Sequence, residues 1–600
     1  MPEHNTKLYN LSTGKPITSL SPFSSPIDEY RAAFENRAHL FLNYYTFQGG
    51  KVRKQTLTRG EFWDLTCATA TYLIKQGLSK GDRIIHCFSS NSLHDLVFRL
   101  AAVLAGCVPV TINWQADDNK RVLYKAKVTN AKLMVCDNGF VNRIEAIKPQ
   151  LLPISFLEAE KVEGYQATSQ LTYPPLSYDD DRMVIFTSGT TGKPKGVSLS
   201  HRSYLTNRLT FEHYFGMSET TQLDLLLVNP LHHTNSSALS DWGMRRSGTI
   251  IHLLQHYATV YWKILVEVAR RKRDLLVAPM VPRHIDFLES LATESKLPIE
   301  EAKLKEALSR TDILIGSAPV GPITIKRILK LSNRLPHVRF GSTETCLQVM
   351  ATPTKMSPNE LMKVFEAGWS HHYKGEEMVG YYIGREHPPF TRVKVVKAID
   401  PESNDYLRSC EIGESGYLIT QGPNAMSYYV GDAEATRAVF REEWYTGLKD
   451  IVFTLKNRKD RQLDYYWMSR DSELLIRGGA NYAYDQIAGE LNKFIVEHFQ
   501  LKPEQFQLAV VGLRLESEHE DNCCVTIEFS EDTVDVQSQL EANFIEKASH
   551  IVSKGARPDY VRFERIPRNF KGIILYPQLK QDFLDSLKNR KRSINSEKSG

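Results

Sequence analysis

Cysteine is scarce: eight in 600 residues, with no CxxC pair and no His/Cys cluster. That excludes a disulfide-stapled scaffold and a thiolate zinc site. Reduced, buried thiols are the expectation, including at the adjacent Cys523 and Cys524. No apolar run is long enough to span a bilayer. The segment Met1 to Asn10 is polar and cannot form a signal-peptide core, and Lys598-Ser599-Gly600 is not a peroxisomal address. A soluble, cytoplasmic chain is expected. Neither sign of charge dominates: 75 basic and 70 acidic residues leave +5, too little to mark nucleic acid as the main partner. The one basic cluster, Lys588, Arg590, Lys591 and Arg592, reads as a solvated tail or as a targeting or lipid-contacting patch. Internal repeats are absent.

What is present is ordinary globular chemistry, 42% hydrophobic and 24% charged, in a chain too long for one hydrophobic core. Residues 1–27 are rich in Ser, Thr and Pro and read as a flexible leader, with order beginning near Tyr30. Thr58-Arg59-Gly60-Glu61 has the form of a capping box. Phe62, Leu65, Ala68 and Tyr72 follow at helical spacing, and Gly77 is a suitable stop. Apolar runs Ile84–Phe88, Val108–Ile112 and Leu133–Cys136 alternate with helical stretches Ser92–Ala105 and Ala116–Ala131. That alternation predicts an α/β fold built on helix-covered sheets. Residues 161–181 form a polar connector, and Lys456–Arg461 reads as an exposed insertion. From about Asp471 the pattern changes to strands Phe506–Leu513 and Cys524–Phe529 and a helix from about Ser538 to Val552. A small α+β unit follows the large one. The expected division is 28–470, 471–585 and a basic polar tail, 586–600.

The sharpest signal is Met183-Val184-Ile185-Phe186-Thr187-Ser188-Gly189-Thr190-Thr191-Gly192-Lys193-Pro194-Lys195-Gly196. An apolar strand runs into Gly, Ser, Thr and Lys. Glycines let backbone N–H groups turn toward a phosphate, hydroxyls add donors, and lysines add charge. The GxxxxGKS/T spacing of the Walker loop is missing.

The run TSGTTGKPKGV resembles the phosphate loop of the adenylate-forming superfamily, which contains acyl- and aryl-CoA synthetases, peptide-synthetase adenylation domains and firefly-type luciferases. Asn229 to Asn235, Gly316-Ser317-Ala318-Pro319, Phe340-Gly341-Ser342-Thr343-Glu344, Gly413 to Tyr429, Trp444 to Gly447 and Ser469 to Gly479 resemble further family motifs, in order. The likeness covers about residues 30–580. It implies a large N-terminal domain of mixed sheets with a small mobile C-terminal domain. It also implies a two-step reaction: a carboxylate attacks the α-phosphate of ATP to give an acyl-adenylate and pyrophosphate, and a thiol, commonly coenzyme A, displaces AMP. By the same resemblance, Thr187 to Lys195 would cradle the β- and γ-phosphates. Phe340 would stack on adenine, with Gly316, Ser317 and Ala318 along its edge and Gly341 and Ser342 beside it. Thr343 would contact the α-phosphate, and Glu344 would ligate Mg²⁺. His233 would line the acyl pocket. Arg470 is the motif arginine and Asp471 the hinge, while Gly478 and Gly479 belong to the coenzyme A channel. Taken alone, His233 and Glu344 read as ordinary residues, and Trp242 reads as core rather than pocket wall.

Three departures from the family pattern stand out. The acid that binds ribose hydroxyls normally follows Thr-Gly, but Leu448 follows Gly447. Either Asp450 takes that role across a two-residue insertion, or the contact is lost. The C-terminal Gly-Lys motif reads Lys571-Gly572-Ile573, so the usual catalytic lysine is Ile573. One lost preorganised donor costs about 10²–10³ in rate. Two residues along an extended segment preserve the face, so Lys571 is the candidate substitute. Lastly, Tyr484-Asp485-Gln486-Ile487-Ala488 replaces a segment that usually carries two carboxylates. Three readings follow: an active acyl-CoA synthetase, a thioesterifying half-enzyme, and a nucleotide- or acyl-binding pseudoenzyme. No carrier domain is evident, so the thiol is coenzyme A or a carrier protein in trans.

Overall fold

Ser25 followed by Pro26 starts the first helix, Pro26–Ala33: the Ser25 hydroxyl accepts from Asp28 N, and proline sits where its missing N–H costs nothing. This helix reaches into the segment expected to be a leader and buries Ile27 and Tyr30. The Ser-Pro pair is a helix start, which composition alone hid. The computed structural model describes residues 21–597 apart from 116, 152, 168–170, 188–193, 318–319, 471–472, 478–479, 500, 516–520, 531–533 and 569–573. Of the residues singled out above, Ser188, Gly189, Thr190, Thr191, Gly192, Lys193, Ala318, Asp471, Gly478, Gly479, Lys571 and Ile573 lie outside the described residues.

Local signals translate directly. Thr58 and Glu61 form the reciprocal capping box of helix Arg59–Lys75. Ser92 caps helix Leu93–Ala105, and Gly106 ends it in the left-handed region at φ 76°. The strands Arg83–Cys87, Val108–Thr111 and Leu133–Cys136 pair in parallel. They form the centre of a sheet that continues through the antiparallel pair Asp181–Thr187 and Lys195–Ser200 to the edge strand Tyr428–Tyr429. A second, larger sheet runs from parallel strands, including Leu223–Leu227, Thr249–Leu254, Leu275–Met280, Asp312–Ile315 and His337–Phe340. It continues into antiparallel ones that include Asp450–Lys456 and Leu463–Arg470. Helices His201–Tyr214 and Thr234–Met244 pack in the same apolar cluster as residues of both sheets. The fold is therefore mixed α/β, with a large N-terminal domain and a smaller C-terminal one.

The C-terminal domain has its own core. Phe506–Leu513, Asn522–Phe529 and Tyr560–Phe563 form a three-stranded sheet among the described residues. Helices Tyr484–Phe499, Val534–Ile551 and Tyr576–Glu597 accompany it, and Leu491, Phe494, Val510, Phe544 and Leu579 share one apolar cluster. The last helix runs through the segment expected to be a tail. Residues 457–462 form the turn of the hairpin between Asp450–Lys456 and Leu463–Arg470, so the charged insertion is a hairpin tip. Cys523 and Cys524 are buried, as are Cys87, Cys107, Cys136 and Cys346.

Trp242 is core: its ring is fully buried and stacks on Phe211 at 5.0 Å. Trp242→Ala is expected to cost about 3–5 kcal/mol. Urea unfolding checks this; a midpoint unchanged from wild type would place Trp242 outside the core.

Candidate functional site

Strand His337–Phe340 delivers the motif that follows it. At Gly341 the backbone closes on itself so tightly that a Cβ would collide with Leu347 O, so only glycine fits. The chain then makes a short turn, Thr343–Thr345, in which Ser342 N donates to Thr345 Oγ1 at 2.9 Å. Cys346 and Leu347 follow with φ 47° and 91°. Positive φ at two non-glycine residues is costly, and it holds the turn that presents Thr343 and Glu344. On the neighbouring strand Ser317 also has positive φ, 68°, at the edge of the turn expected to contact adenine. A Cβ at Gly316 would lie 2.7 Å from Arg339 O, so the two strand ends touch backbone to backbone.

Four other segments meet this turn. Thr234 Oγ1 and Thr343 Oγ1 share a hydrogen bond of 2.9 Å, which ties the start of helix Thr234–Met244 to the motif. His233 is the N-cap residue of that helix. Tyr429 Oη donates to Glu344 Oε1 at 3.2 Å, and Met426 N donates to Glu344 O at 2.7 Å. Tyr429 pairs with Val197, just beyond the phosphate loop, and Lys195 Nζ lies 4.9 Å from the centre of its ring. The loop's two ends, Thr187 and Lys195, are Cα partners in the antiparallel pair. Burial and the Glu344 carboxylate raise the Tyr429 hydroxyl well above its ordinary range, so it remains a donor.

Asp450 reaches the same place from the strand Asp450–Lys456. It is 4% exposed, its Oδ1 accepts from Trp467 Nε1 at 2.7 Å, and Arg470 Nε lies 3.6 Å away. Asp450 and Arg470 are partners in the antiparallel register. Burial raises the Asp450 carboxyl, and Arg470 opposes the shift. Asp450 is thus a buried, oriented carboxyl next to Arg470.

The structure brings together Lys195, His233, Phe340, Gly341, Ser342, Thr343, Glu344, Asp450 and Arg470, with Gly316 and Ser317 on the adjoining strand end. Sequence reasoning missed Asn91, Tyr429 as a partner of Glu344, and Trp467. Asn91 Oδ1 accepts from Leu231 N at 2.8 Å while its Nδ2 donates to the carbonyls of Val228, Asn229 and Leu254. It therefore shapes the segment that carries His233. Its partners lie 137–163 residues away, so no local signal marked it.

Residues 31–430 match the AMP-binding enzyme family. The chain belongs to that family. Medium-chain acyl-CoA ligase ACSF2, mitochondrial, of Mus musculus is 25% identical over 568 residues, 86% of this chain and 82% of the mouse protein. Luciferin 4-monooxygenase of Photuris pensylvanica is 24% identical over 464 residues, 73% of this chain and 75% of that protein. Among solved structures, o-succinylbenzoate CoA synthetase of Bacillus subtilis, in complex with its acyl-adenylate intermediate, superposes with a TM-score of 0.70. It is 18% identical and covers 93% of this chain and 99% of its own. The same enzyme with ATP and a magnesium ion gives 0.68. These findings place the chain in the adenylate-forming superfamily, among the acyl-CoA synthetases and ligases. Among the described residues no helix is long and apolar enough to cross a membrane.

A small domain follows the AMP-binding region, and the junction carries the half-buried carboxyls Glu473 and Asp485. Asp485, at the start of helix Tyr484–Phe499, accepts from Tyr576 Oη at 3.3 Å. Glu473 faces Arg470, Asp485 and Asp450, and burial pushes it up to about 7. A carboxyl raised in the folded state favours folding while it holds its proton. That contribution is full below about 4.5, the ordinary value, and is lost as pH rises through about 7. Glu473→Gln keeps the neutral form at every pH. Its melting temperature is expected to match wild type near pH 4.5 and to exceed it by roughly 1–3 °C at pH 8. Scanning fluorimetry across this range checks it; a lower melting temperature at pH 8 would refute the assignment.

Proposed function

We propose that this chain activates a carboxylic acid with ATP and transfers the acyl group to a thiol, coenzyme A in the first instance. The observation that carries this reading is convergence: Lys195, Thr234, Thr343, Glu344, Tyr429, Asp450 and Arg470 come from separate segments to one place, at the base of the phosphate loop.

In the first step a carboxylate oxygen of the acid attacks the α-phosphorus. The bond from that phosphorus to the bridging oxygen breaks, and pyrophosphate leaves with the electron pair. The loop Thr187 to Lys195 holds the β- and γ-phosphates, with Lys195 kept in place against the Tyr429 ring. Phe340 stacks on adenine beside Gly316, Ser317 and Ala318, and Asp450 accepts from the ribose hydroxyls while Arg470 and Trp467 hold it. Thr343 donates to the α-phosphate, and Thr234 fixes its hydroxyl. Glu344 offers the oxygen ligand that suits Mg²⁺, which would neutralise charge on the triphosphate. Tyr429 orients that carboxylate. His233 lines the acid's pocket. In the second step the thiol sulfur attacks the acyl carbon and AMP leaves. Most of the rate comes from positioning and preorganised charge, because the protein itself forms no covalent bond.

Lys571 is assigned the charge that Ile573 lacks. Supporting it are the register argument, which keeps both residues on one face, and the retained loop, Thr343, Glu344 and Arg470, which a pure binder does not need. Pyrophosphate release from ATP and Mg²⁺ with a panel of acids, with and without coenzyme A, tests the whole reading. Acid-dependent release is expected. Lys571→Ala should lower it about 100-fold while thiolysis of a preformed acyl-adenylate stays unchanged. No release with any acid, in a chain that binds ATP, would favour the pseudoenzyme.

A further inference from the structure

Arginine is expensive to bury, and this chain buries seven among the described residues: Arg59, Arg99, Arg182, Arg245, Arg246, Arg339 and Arg562. Five of them face acids: Arg99 with Asp95, Arg182 and Arg245 with Asp241, Arg246 with Glu212, and Arg562 with Glu564. Arg59 donates to the carbonyls of Ala33, Arg246 and Thr249. Arg339 differs. It is 6% exposed and pairs with no acid among the described residues; like Arg59, Arg182, Arg246 and Arg562 it keeps buried N–H groups without a hydrogen-bond partner, here Nε and Nη2. Burial with nothing to oppose it holds its guanidinium down, to about 10. A buried cation without a counter-ion is tolerated where a ligand supplies the anion.

Its position says which ligand. Arg339 immediately precedes Phe340, and its Cγ would lie 3.3 Å from a Cβ built on Gly316, so the side chain starts across the Gly316 turn. Side chains alternate along a strand, which puts Arg339 on the face of His337 and away from Val338. His337 bonds to Tyr214 Oη at 2.7 Å. Its register partner Leu314 shares an apolar cluster with Ala238, Leu239 and Trp242. That face therefore looks toward helix Thr234–Met244, whose first turn carries Asn235. Asn235 is 7% exposed, and its Oδ1 is also buried without a partner. Two unsatisfied polar groups thus sit on elements that face each other, and one of them, Asn235, is two positions from His233, where the ligase reading puts the acid.

We propose that Arg339 recognises a second carboxylate on the substrate, remote from the one activated, so that the acid is a dicarboxylate. This rests on the ligase reading and deepens it. The far carboxylate supplies the counter-ion that the fold withholds. A monocarboxylate of the same length leaves the guanidinium buried and uncompensated, so the pocket selects against it. Arg339 acts in recognition; it takes no part in bond making.

The test uses the full chain with ATP and Mg²⁺ and matched acids: aliphatic and aromatic dicarboxylates, each beside the monocarboxylate in which a methyl group replaces the far carboxylate. Pyrophosphate release should favour the dicarboxylate by about 100-fold in kcat/KM. Arg339→Met should bring the ratio near one and leave KM for ATP unchanged. Arg339→Gln serves as the second variant should the first not fold. Preference for the monocarboxylates in wild type overturns the proposal. So does an equal loss on both members of a pair, or a change confined to KM for ATP. If no acid is turned over, the ligase reading fails separately, and calorimetric binding of the same pairs in the presence of AMP decides. Dicarboxylate binding that disappears in Arg339→Met sustains the proposal, and its absence from wild type overturns it.

Discussion

Two sheets that share no strand among the described residues have to meet at one carboxylate. Tyr429 belongs to the sheet of the phosphate loop through its pairing with Val197. Glu344 follows the last parallel strand of the other sheet. The hydrogen bond from Tyr429 Oη to Glu344, and the one from Met426 N to Glu344 O, join them. Lys195 rests on the Tyr429 ring, so the loop's cation and the proposed metal ligand are spaced by one aromatic side chain. Without that bridge the two sheets would still be held together by the apolar cluster they share. The phosphate groups would simply have no common seat.

The energetics around this seat are uneven in an informative way. Most buried charges are settled within the chain, as in the group Glu29, Arg245, Asp241 and Arg182. There the geometry is dense with hydrogen bonds, which is the condition under which buried ions are tolerated. Near the motif turn, positive φ persists at Ser317, Cys346 and Leu347, and Arg339 and Asn235 keep unsatisfied polar atoms. Strain and unmet hydrogen-bonding capacity gather where the surrounding packing is tight enough to hold them. The junction with the small domain shows the same habit, since Glu473 and Asp485 are both raised by burial.

Much of this was legible in the residues themselves. The capping box at Thr58, the helix stop at Gly106 and the strand Leu133–Cys136 are short-range features, set by neighbours one turn or one pleat away. The run Phe340 to Glu344 was legible for a similar reason: its turn is shaped by its own backbone at Gly341 and by the Ser342–Thr345 hydrogen bond. Asp450 was found by asking for an acceptor near a displaced motif, and the structure gives it a buried place beside Arg470. The helix at Pro26 was misread because Ser-Pro serves both as loop composition and as a helix start, and only packing of Ile27 and Tyr30 distinguishes the two.

By itself the sequence determined the family and the local elements, and it nominated the candidate site residues. Backbone turns, caps and glycine contacts are encoded within a few positions, and hydrophobic period marks which face turns inward. Only the tertiary structure decided which of those residues touch. It made Tyr429 the partner of Glu344, placed Thr234 against Thr343, and gave Asn91 the task of shaping the His233 segment. It also left Arg339 buried with no acid facing it among the described residues. These are contacts between residues tens to more than a hundred positions apart. They depend on how the two sheets and the helices between them are stacked, and no spacing along the chain records that.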